Sequence, residues 1–232
     1  MENHDLTLPL NKDTLLVPIG YDGGGFHSEQ ISGDDEGGGV VHQITQNTHT
    51  GTHMDSPAHY IPDGTTIDEI DHSLFTGEAK IIDLREYAGE LIAETILSDE
   101  ADHVEAGDRV VLITGDVDTY FHEPEEPELR TVFEEASALS VGGAEWLVDQ
   151  EVSLIANDFL TESLKMSKNK PYNPTRPVHH TLLGAGIPIV EYLCRTKSIA
   201  TYDTIQFSCF PLPLTGLDAS PARVTAEVIN QD

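Results

Sequence analysis

Seven short segments rich in β-branched residues recur along the chain and limit its possible folds more than any other feature. Gly, Pro or Asp bounds them, as is typical of strands that end in turns. Helical patterns lie between some of them, and Ser140 is a suitable N-cap for one helix. This alternation predicts an α/β or α+β domain with a mixed sheet. The predicted strands are 40–48, 79–84, 109–115, 152–157, 187–190, 204–210 and 222–229, and the predicted helices are 94–104, 140–150 and 175–186.

The chain is strongly acidic, with 12 Lys and Arg against 41 Asp and Glu and a formal net charge of −29. Phosphate groups repel such a surface, so neither nucleic acid nor an anionic membrane is an expected partner. The acid excess is spread along the chain and fits a halophilic source, where molar salt screens charge over about 3 Å. Because we find neither an apolar run of about 18 residues nor an export signal, the expected location is the cytoplasm.

Residues 20–39 are rich in glycine and predict a loop. The segment lacks the Gly-x-x-x-x-Gly-Lys pattern of a phosphate-binding loop, and no clear strand leads into it. A lid over a nearby site is the alternative, with Tyr21 and Phe26 as aromatic contacts. The sequence leaves both interpretations open.

The stretch NTHTGTHMDSPAH, at 47–59, spaces its chemically active residues by two. On a strand, alternate residues share a face, so His49, His53 and Asp55 would point the same way. Gly51 would leave room between the histidines for an ion, and the proline after Asp55 predicts a turn. Two imidazoles and a carboxylate suit zinc or manganese. The pattern therefore favours a metal site over a polar strand whose histidines only form hydrogen bonds.

A second cluster lies in the segment HHTLLGAGIPIVE, which begins with His179 and ends with Glu191. These two residues stand at the ends of a predicted helix–turn–strand unit, which can return both ends to one place. By itself this signal is weak, because paired histidines are commonly a helix cap and a surface residue.

The chain resembles the cyclase-like metal-dependent hydrolase family, which includes bacterial kynurenine formamidases and isatin hydrolases. The motif His-x-Gly-Thr-His-x-Asp-x-Pro-x-His carries the resemblance, and the segments GEAKIIDL, RVVLITG and PLPLTGLDASPARVTA extend it over nearly the whole length. The resemblance implies a single α/β domain over 1–232, with a mixed, swivelled sheet and flanking helices. It also implies a homodimer or a larger homo-oligomer.

The resemblance also implies five metal ligands for one or two ions of zinc or manganese. The five are His49, His53, Asp55, His179 and Glu191. Asp55 would bridge the two ions where both are bound. His59 would not be a ligand but the general acid/base.

This assignment has a chemical rationale. A bound metal lowers the pKa of water to about 7 and makes hydroxide available to attack a carbonyl group. A nearby histidine such as His59 can give the leaving amine its proton. The predicted reaction is hydrolysis of the C–N bond of a small-molecule amide, with aryl formamides such as N-formylkynurenine as the leading substrate class. The alternatives are ring opening of a cyclic amide or lactone, and a metal-binding protein without catalysis.

Five further residues have simpler interpretations. Cys194 and Cys209 lie in apolar surroundings and are predicted to be buried thiols rather than ligands or nucleophiles. Arg223 is predicted to pair with another side chain for structural reasons. Asp158 matches a family position with at most a supporting role, and Arg176, just before His179, is the candidate to meet an anionic substrate.

Overall fold

The computed structural model describes residues 2–11, 26–33, 39–122, 132, 135–162 and 175–228. Tyr21, one of the two aromatic residues expected on a lid, lies outside these ranges. The strands, in chain order, are β1 (Glu2–Asp5), β2 (His27–Ser32), β3 (Val41–Thr45), β4 (His53–Asp55), β5 (Thr76–Asp83), β6 (Leu91–Ile92), β7 (Arg109–Ile113), β8 (Ala138–Leu139), β9 (Leu154–Asn157), β10 (Leu160–Glu162), β11 (Ile189–Glu191), β12 (Thr204–Pro211) and β13 (Ala219–Val228).

Eight of these strands form the main sheet, in the order β1-β13-β12-β5-β7-β9-β11-β4. One edge of β13 pairs with β12, while the other edge pairs with β4 at 219–221 and with β1 at 225–228. The sheet therefore closes on itself as a barrel. Strands β5, β7, β9 and β11 are mutually parallel, and the remaining pairings are antiparallel.

Apolar side chains of the parallel strands alternate between two buried layers. On β7, Val111 and Ile113 belong to the layer inside the barrel, whereas Val110 and Leu112 belong to an outer layer. Because both faces of these strands are buried, their sequences are apolar throughout. This is why the strands were visible in the sequence as β-branched runs.

Helices α1 (Glu94–Glu100), α2 (Val141–Asp149) and α3 (Pro177–Gly184) cover the outer layer. Ser140 Oγ accepts a hydrogen bond from the backbone N–H of Gly143 at 2.9 Å, which confirms the predicted N-cap of α2. Helix α2 contacts both α1 and α3. The structure thus confirms the predicted α/β fold with a mixed sheet and flanking helices.

Strands β2 and β3 pair with each other outside the main sheet, as an exposed antiparallel hairpin. The strand predicted at 40–48 is confirmed for Val41–Thr45. The loop predicted at 20–39 is wrong for His27–Ser32, which form β2. Strands β10, β8 and β6 form a small parallel sheet of their own.

The structure also bears on three of the simpler interpretations. Cys194 and Cys209 are free and fully buried, and burial raises the pKa of the Cys194 thiol to about 12, so both are inert thiols as predicted. Arg223 donates two hydrogen bonds to the carboxylate of Asp5, at 3.0 and 2.6 Å, which confirms its pairing role. Within the described ranges, no helix has the length and the apolar content needed to cross a membrane.

Candidate metal centre

The short strand β4 carries the core of the predicted metal site. His53 and Asp55 are two residues apart, so they share a face of the strand, and both are wholly buried. Because β4 pairs with β11 and β13, His53 stands opposite Glu191 and Asp55 stands opposite Ala219. The expected strand geometry is confirmed for His53 and Asp55, and it brings Glu191 beside them.

His49 lies on a turn before β4 and not on the strand where its spacing placed it. The backbone N–H of His49 and the hydroxyl of Thr50 donate to Asn47 Oδ1, at 3.0 and 2.9 Å, and hold this turn. Gly51 has a φ of +66°, which favours glycine, and a Cβ there would lie 2.5 Å from Leu10 Cδ2. The space left by its missing side chain therefore faces Leu10 and not an ion.

Histidine nitrogens converge on the carboxylate of Asp55. His49 Nδ1 and His53 Nε2 lie 2.8 and 3.1 Å from Asp55 Oδ1, and 3.2 Å from each other. His179 Nε2 lies 3.9 Å from Asp55 Oδ2 and 3.5 Å from Glu191 Oε1. The structure therefore brings together all five predicted ligands, although they come from distant parts of the chain.

The surroundings of Asp55 fit a divalent cation. Both of its carboxylate oxygens are buried, and neither has a hydrogen-bond partner among the residues that the structure describes. A buried carboxylate that no hydrogen bond satisfies is costly, and a cation bound between it and the histidine nitrogens would satisfy it. In each of two groups of residues the ligand atoms lie within 4.8 Å of one another, and Asp55 belongs to both groups. These groups are His49, Asp55 and His59, and His53, Asp55 and Glu191.

Burial and charge act in opposite directions on the ionisable groups of the centre. Burial raises the pKa of Asp55, but the charges of His49 and His53 lower it by more than burial raises it. The pKa of Asp55 therefore lies well below its usual value. Burial lowers the pKa of His49, yet the charge of Asp55 and a hydrogen bond to Asp218 raise it to about 10. A cation that binds here must displace a proton from His49, which makes metal binding dependent on pH.

His59 ends a short 3-10 helical turn that directly follows β4 and begins at Pro57, so the chain turns where predicted. His59 Nδ1 lies 3.2 Å from Asp218 Oδ2, and His59 Nε2 lies 3.9 Å from Asp55 Oδ2. The side chain is 12% exposed and lines a cavity of about 390 Å³. His59 therefore stands on the side of the centre that a substrate can reach.

A family model described as "Putative cyclase" matches residues 4–161, which include the whole histidine motif. The chain belongs to this cyclase family. Its relatives include a kynurenine formamidase from Bacillus mycoides (strain KBAB4), 29% identical over 229 residues, which cover 97% of each chain. A kynurenine formamidase from Geobacillus thermodenitrificans (strain NG80-2) is 30% identical over 192 residues, which cover 81% of this chain and 80% of the relative.

Solved structures share the fold of this cyclase family member. Isatin hydrolase A from Labrenzia aggregata superposes with a TM-score of 0.76 at 23% identity, over 97% of this chain and 93% of that one. A potential metal-dependent hydrolase with cyclase activity superposes with a TM-score of 0.74 at 22% identity, over 97% and 96% of the two chains. The family model and the kynurenine formamidase relatives confirm the predicted family and the predicted class of enzyme, a hydrolase, and the solved structures confirm the fold.

Glu162, at the end of β10, is a site residue that the sequence analysis missed. Its Oε2 accepts hydrogen bonds from the backbone N–H groups of Val178 and His179, at 3.1 and 3.3 Å, and lies 3.1 Å from His179 Nδ1. It thereby caps α3 and directs His179 Nε2 towards Asp55. Burial lowers the pKa of His179, but hydrogen bonds to Glu162 and Glu191 raise it to about 9.

Asp218 is the second site residue that the sequence analysis missed. It directly precedes β13, and its Oδ2 lies 2.9 Å from His49 Nε2 and 3.2 Å from His59 Nδ1. The segment that contains it resembles the family, but it carries no histidine or cysteine that would point to a site. No spacing within the sequence links Asp218 to a histidine motif so far upstream.

Asp158 and Arg176, the two further residues considered for the site, have different surroundings. Asp158 is fully buried and accepts hydrogen bonds from Thr114 N and Gly115 N, at 2.7 and 2.8 Å, and from Thr196 Oγ1. Its supporting role is therefore structural. Arg176 immediately precedes α3 and is only 9% exposed, so the prediction that it meets an anionic substrate stays a prediction.

Proposed function

We propose that the chain hydrolyses the formyl amide of an aryl formamide, with N-formylkynurenine as the representative substrate. The observation that carries this proposal is the arrangement around Asp55. Ring nitrogens of three histidines face its buried oxygens, and a further histidine, His59, lies beside them at the open side. The kynurenine formamidases to which the chain is similar over nearly its full length support the choice of substrate.

The proposed ligands are the five predicted from the sequence, and the proposed cofactor is one or two ions of zinc or manganese. The first ion would bind His49, His53 and Asp55, and the second would bind Asp55, His179 and Glu191. A bound divalent ion supplies a Lewis acid that polarises a carbonyl group and lowers the pKa of water. The short distances among these side chains support a shared site in which Asp55 would belong to both ligand sets.

His59 is the proposed general acid/base. With Nδ1 hydrogen-bonded to Asp218, its Nε2 is the atom that faces the centre. The water that attacks the carbonyl carbon gives a proton to Nε2, and Nε2 then returns it to the leaving amine nitrogen. One residue thus serves both steps, and the proton count balances between water, His59 and the amine.

The cavity beside the centre suits a flat substrate of modest size. Its volume is about 390 Å³, and its lining residues are Asn47, Thr48, His49, His59, Tyr60 and Asp218. The ring of Tyr60 stands edge-on to His59, with ring centroids 4.3 Å apart, and supplies an aromatic wall. Aromatic walls favour an aryl group next to the scissile amide.

The proposal is tested with wild type, His59→Ala and His72→Ala, each loaded with zinc or manganese and assayed on N-formylkynurenine and on isatin. We expect the wild type to cleave N-formylkynurenine, and His59→Ala to keep its metal but lose about 10²- to 10⁴-fold in turnover. His72 is exposed and outside the centre, so His72→Ala should match the wild type. Metal content is measured by elemental analysis of each protein.

Each contrary result rejects a defined part of the proposal. Loss of metal from His59→Ala would make His59 a ligand, as its membership of one group of ligand atoms permits. Unchanged turnover would remove its role in proton transfer. Cleavage of isatin alone would favour the ring-opening alternative, and cleavage of neither substrate would reject the substrate class.

We further propose that the chain acts as a homodimer or larger homo-oligomer in the cytoplasm of a salt-loving cell. The resemblance to its family supports the assembly, and the net charge of −29 supports the salt-rich setting. Light scattering at low and molar salt measures the mass of the assembly and shows whether the assembly depends on salt. A monomer at all salt concentrations would contradict the proposed assembly.

A further inference from the structure

One oxygen of Asp218 contacts two histidines that have different proposed roles. Oδ2 lies 2.9 Å from Nε2 of His49 and 3.2 Å from Nδ1 of His59. The two imidazole rings lie against each other, with centroids 4.1 Å apart and an interplanar angle of 37°. A single carboxylate oxygen is therefore the common hydrogen-bond acceptor for both rings.

The position of Asp218 is itself fixed by several contacts. Its backbone carbonyl accepts hydrogen bonds from the N–H and the hydroxyl of Ser56, at 2.9 and 2.8 Å. Its other carboxylate oxygen, Oδ1, accepts a hydrogen bond from Thr48 Oγ1 at 3.2 Å. The next residue, Ala219, pairs with Asp55 across the two strands. The carboxylate is thus held in a defined place relative to the metal-binding strand.

These contacts determine which nitrogen of each ring faces the centre. In a neutral imidazole, a ring nitrogen that donates its proton to a carboxylate leaves the other nitrogen with a lone pair. For His49 the donor is Nε2, so Nδ1 faces Asp55 and His53. For His59 the donor is Nδ1, so Nε2 faces Asp55 Oδ2.

We propose that Asp218 is a positioning residue that sets the tautomer and the ring orientation of both His49 and His59. This inference rests on the proposed function, since it acts through a proposed metal ligand and a proposed acid/base. Through His49 it strengthens metal binding, and through His59 it presents Nε2 to the reacting atoms. One carboxylate therefore aligns the metal with the group that moves the proton.

The test uses Asp218→Ala and Asp218→Asn, with Asp68→Asn as the matched control. Asp68 Oδ1 accepts a hydrogen bond from Gly216 N at 2.9 Å, so it holds the turn just before Asp218 without touching either histidine. Metal affinity is measured without substrate, by competition with a chromophoric chelator. The kcat and KM of the metal-saturated proteins are then measured on N-formylkynurenine.

We expect Asp218→Ala to weaken metal binding by about 10- to 100-fold and to lower kcat by a similar factor, with KM changed by less than about threefold. Asp218→Asn keeps an oxygen that can accept from one ring, so it should fall between Ala and wild type in both measurements. Asp68→Asn should match the wild type in both, although its melting temperature falls slightly.

Three results would overturn the inference. Wild-type metal affinity and kcat in Asp218→Ala would show that the two rings need no such acceptor. The same losses in Asp68→Asn would assign the effect to the turn and not to the carboxylate. If only the melting temperature changed in the Asp218 variants, the residue would be structural.

Failure of the proposed function gives a different result. In that case the wild type itself cleaves no N-formylkynurenine, while the chelator competition still reports on His49. A loss of metal affinity in Asp218→Ala then supports the part of the inference that concerns His49. An unchanged metal affinity in Asp218→Ala would reject that part of the inference too.

Discussion

Asp55 and Asp158 are both wholly buried carboxylates at the end of a barrel strand, yet their surroundings differ in kind. Asp158 accepts four hydrogen bonds, two from backbone N–H groups and two from threonine hydroxyls. Neither oxygen of Asp55 has a hydrogen-bond partner in the part of the chain that the structure describes. Asp55 instead faces the ring nitrogens of several histidines.

The comparison distinguishes a structural carboxylate from a proposed metal ligand. Burial raises the pKa of Asp158 to about 6, because its donors offset only part of the desolvation. At Asp55 the nearby His49 and His53 outweigh burial and hold the pKa well below its usual range. Backbone and threonine donors of the fold satisfy the carboxylate oxygens of Asp158. The oxygens of Asp55 receive no such hydrogen bond and are available to an added cation.

The largest expected effect is that of Asp55→Asn. Loss of the carboxylate that both proposed ligand sets share should reduce metal content to less than about a tenth and turnover by about 10³-fold or more, since a metal supplies several kcal/mol to the transition state. Elemental analysis and the N-formylkynurenine assay measure the two effects. Asp158→Asn is the matched control and should keep its metal. Full metal content in Asp55→Asn would refute the distinction between the two carboxylates.

A smaller effect is expected in the pH dependence of Asp158→Asn. The folded-state pKa of about 6 lies above the value of about 3.9 for an unfolded chain, so ionisation opposes folding. The stability that protonated Asp158 contributes is fully present below about pH 4 and is lost as the pH rises through about 6. The free energy of unfolding of wild type relative to the variant should therefore fall by about 3 kcal/mol between pH 4 and pH 8.

Urea unfolding at several pH values measures this difference for both proteins. Asp158 does not contact the proposed ligands, so any pH dependence of metal binding cancels in the comparison. A difference that stays constant from pH 4 to pH 8 would mean that Asp158 is ionised throughout and that its four donors outweigh burial.

The smallest effect is expected for a third carboxylate, Asp5, which lies near the surface. Arg223 pairs with it through two hydrogen bonds, but the side chain of Arg223 is 69% exposed. Arg223→Ala should cost less than about 1 kcal/mol, and the loss should shrink in molar salt. Thermal unfolding at low and high salt measures it. A loss above about 2 kcal/mol would show that solvent exposure does not weaken the Asp5–Arg223 pair.

The barrel could be predicted from the sequence in large part. Strands such as β5, β7, β9 and β12 are buried along most of their length, so their β-branched and apolar runs reveal them. Strands β1 and β2 were missed because their residues are polar and at least partly exposed. A strand that forms through backbone pairing alone, without burying its side chains, has no apolar pattern by which its sequence could reveal it.

Some residues of the candidate site could likewise be predicted from the sequence, and others could not. His53 and Asp55 could be placed from their spacing because a strand repeats every two residues. The spacing misplaced His49, since a turn stabilised by Asn47 precedes the strand. Asp218 and Glu162 could not be found from spacing, because they reach the histidines through pairing between distant strands and the approach of α3 to β10.

By itself the sequence determined the local patterns of this protein: the spacing of its histidines and Asp55 predicts a metal-binding motif, and its apolar runs form a mixed sheet. Only the tertiary structure decided which groups meet that motif. Closure of the barrel sets β4 between β11 and β13, and this brings Glu191 and Asp218 to the histidines. Local patterns record the conformation of one segment, whereas contacts between distant segments depend on how strands pair and helices pack.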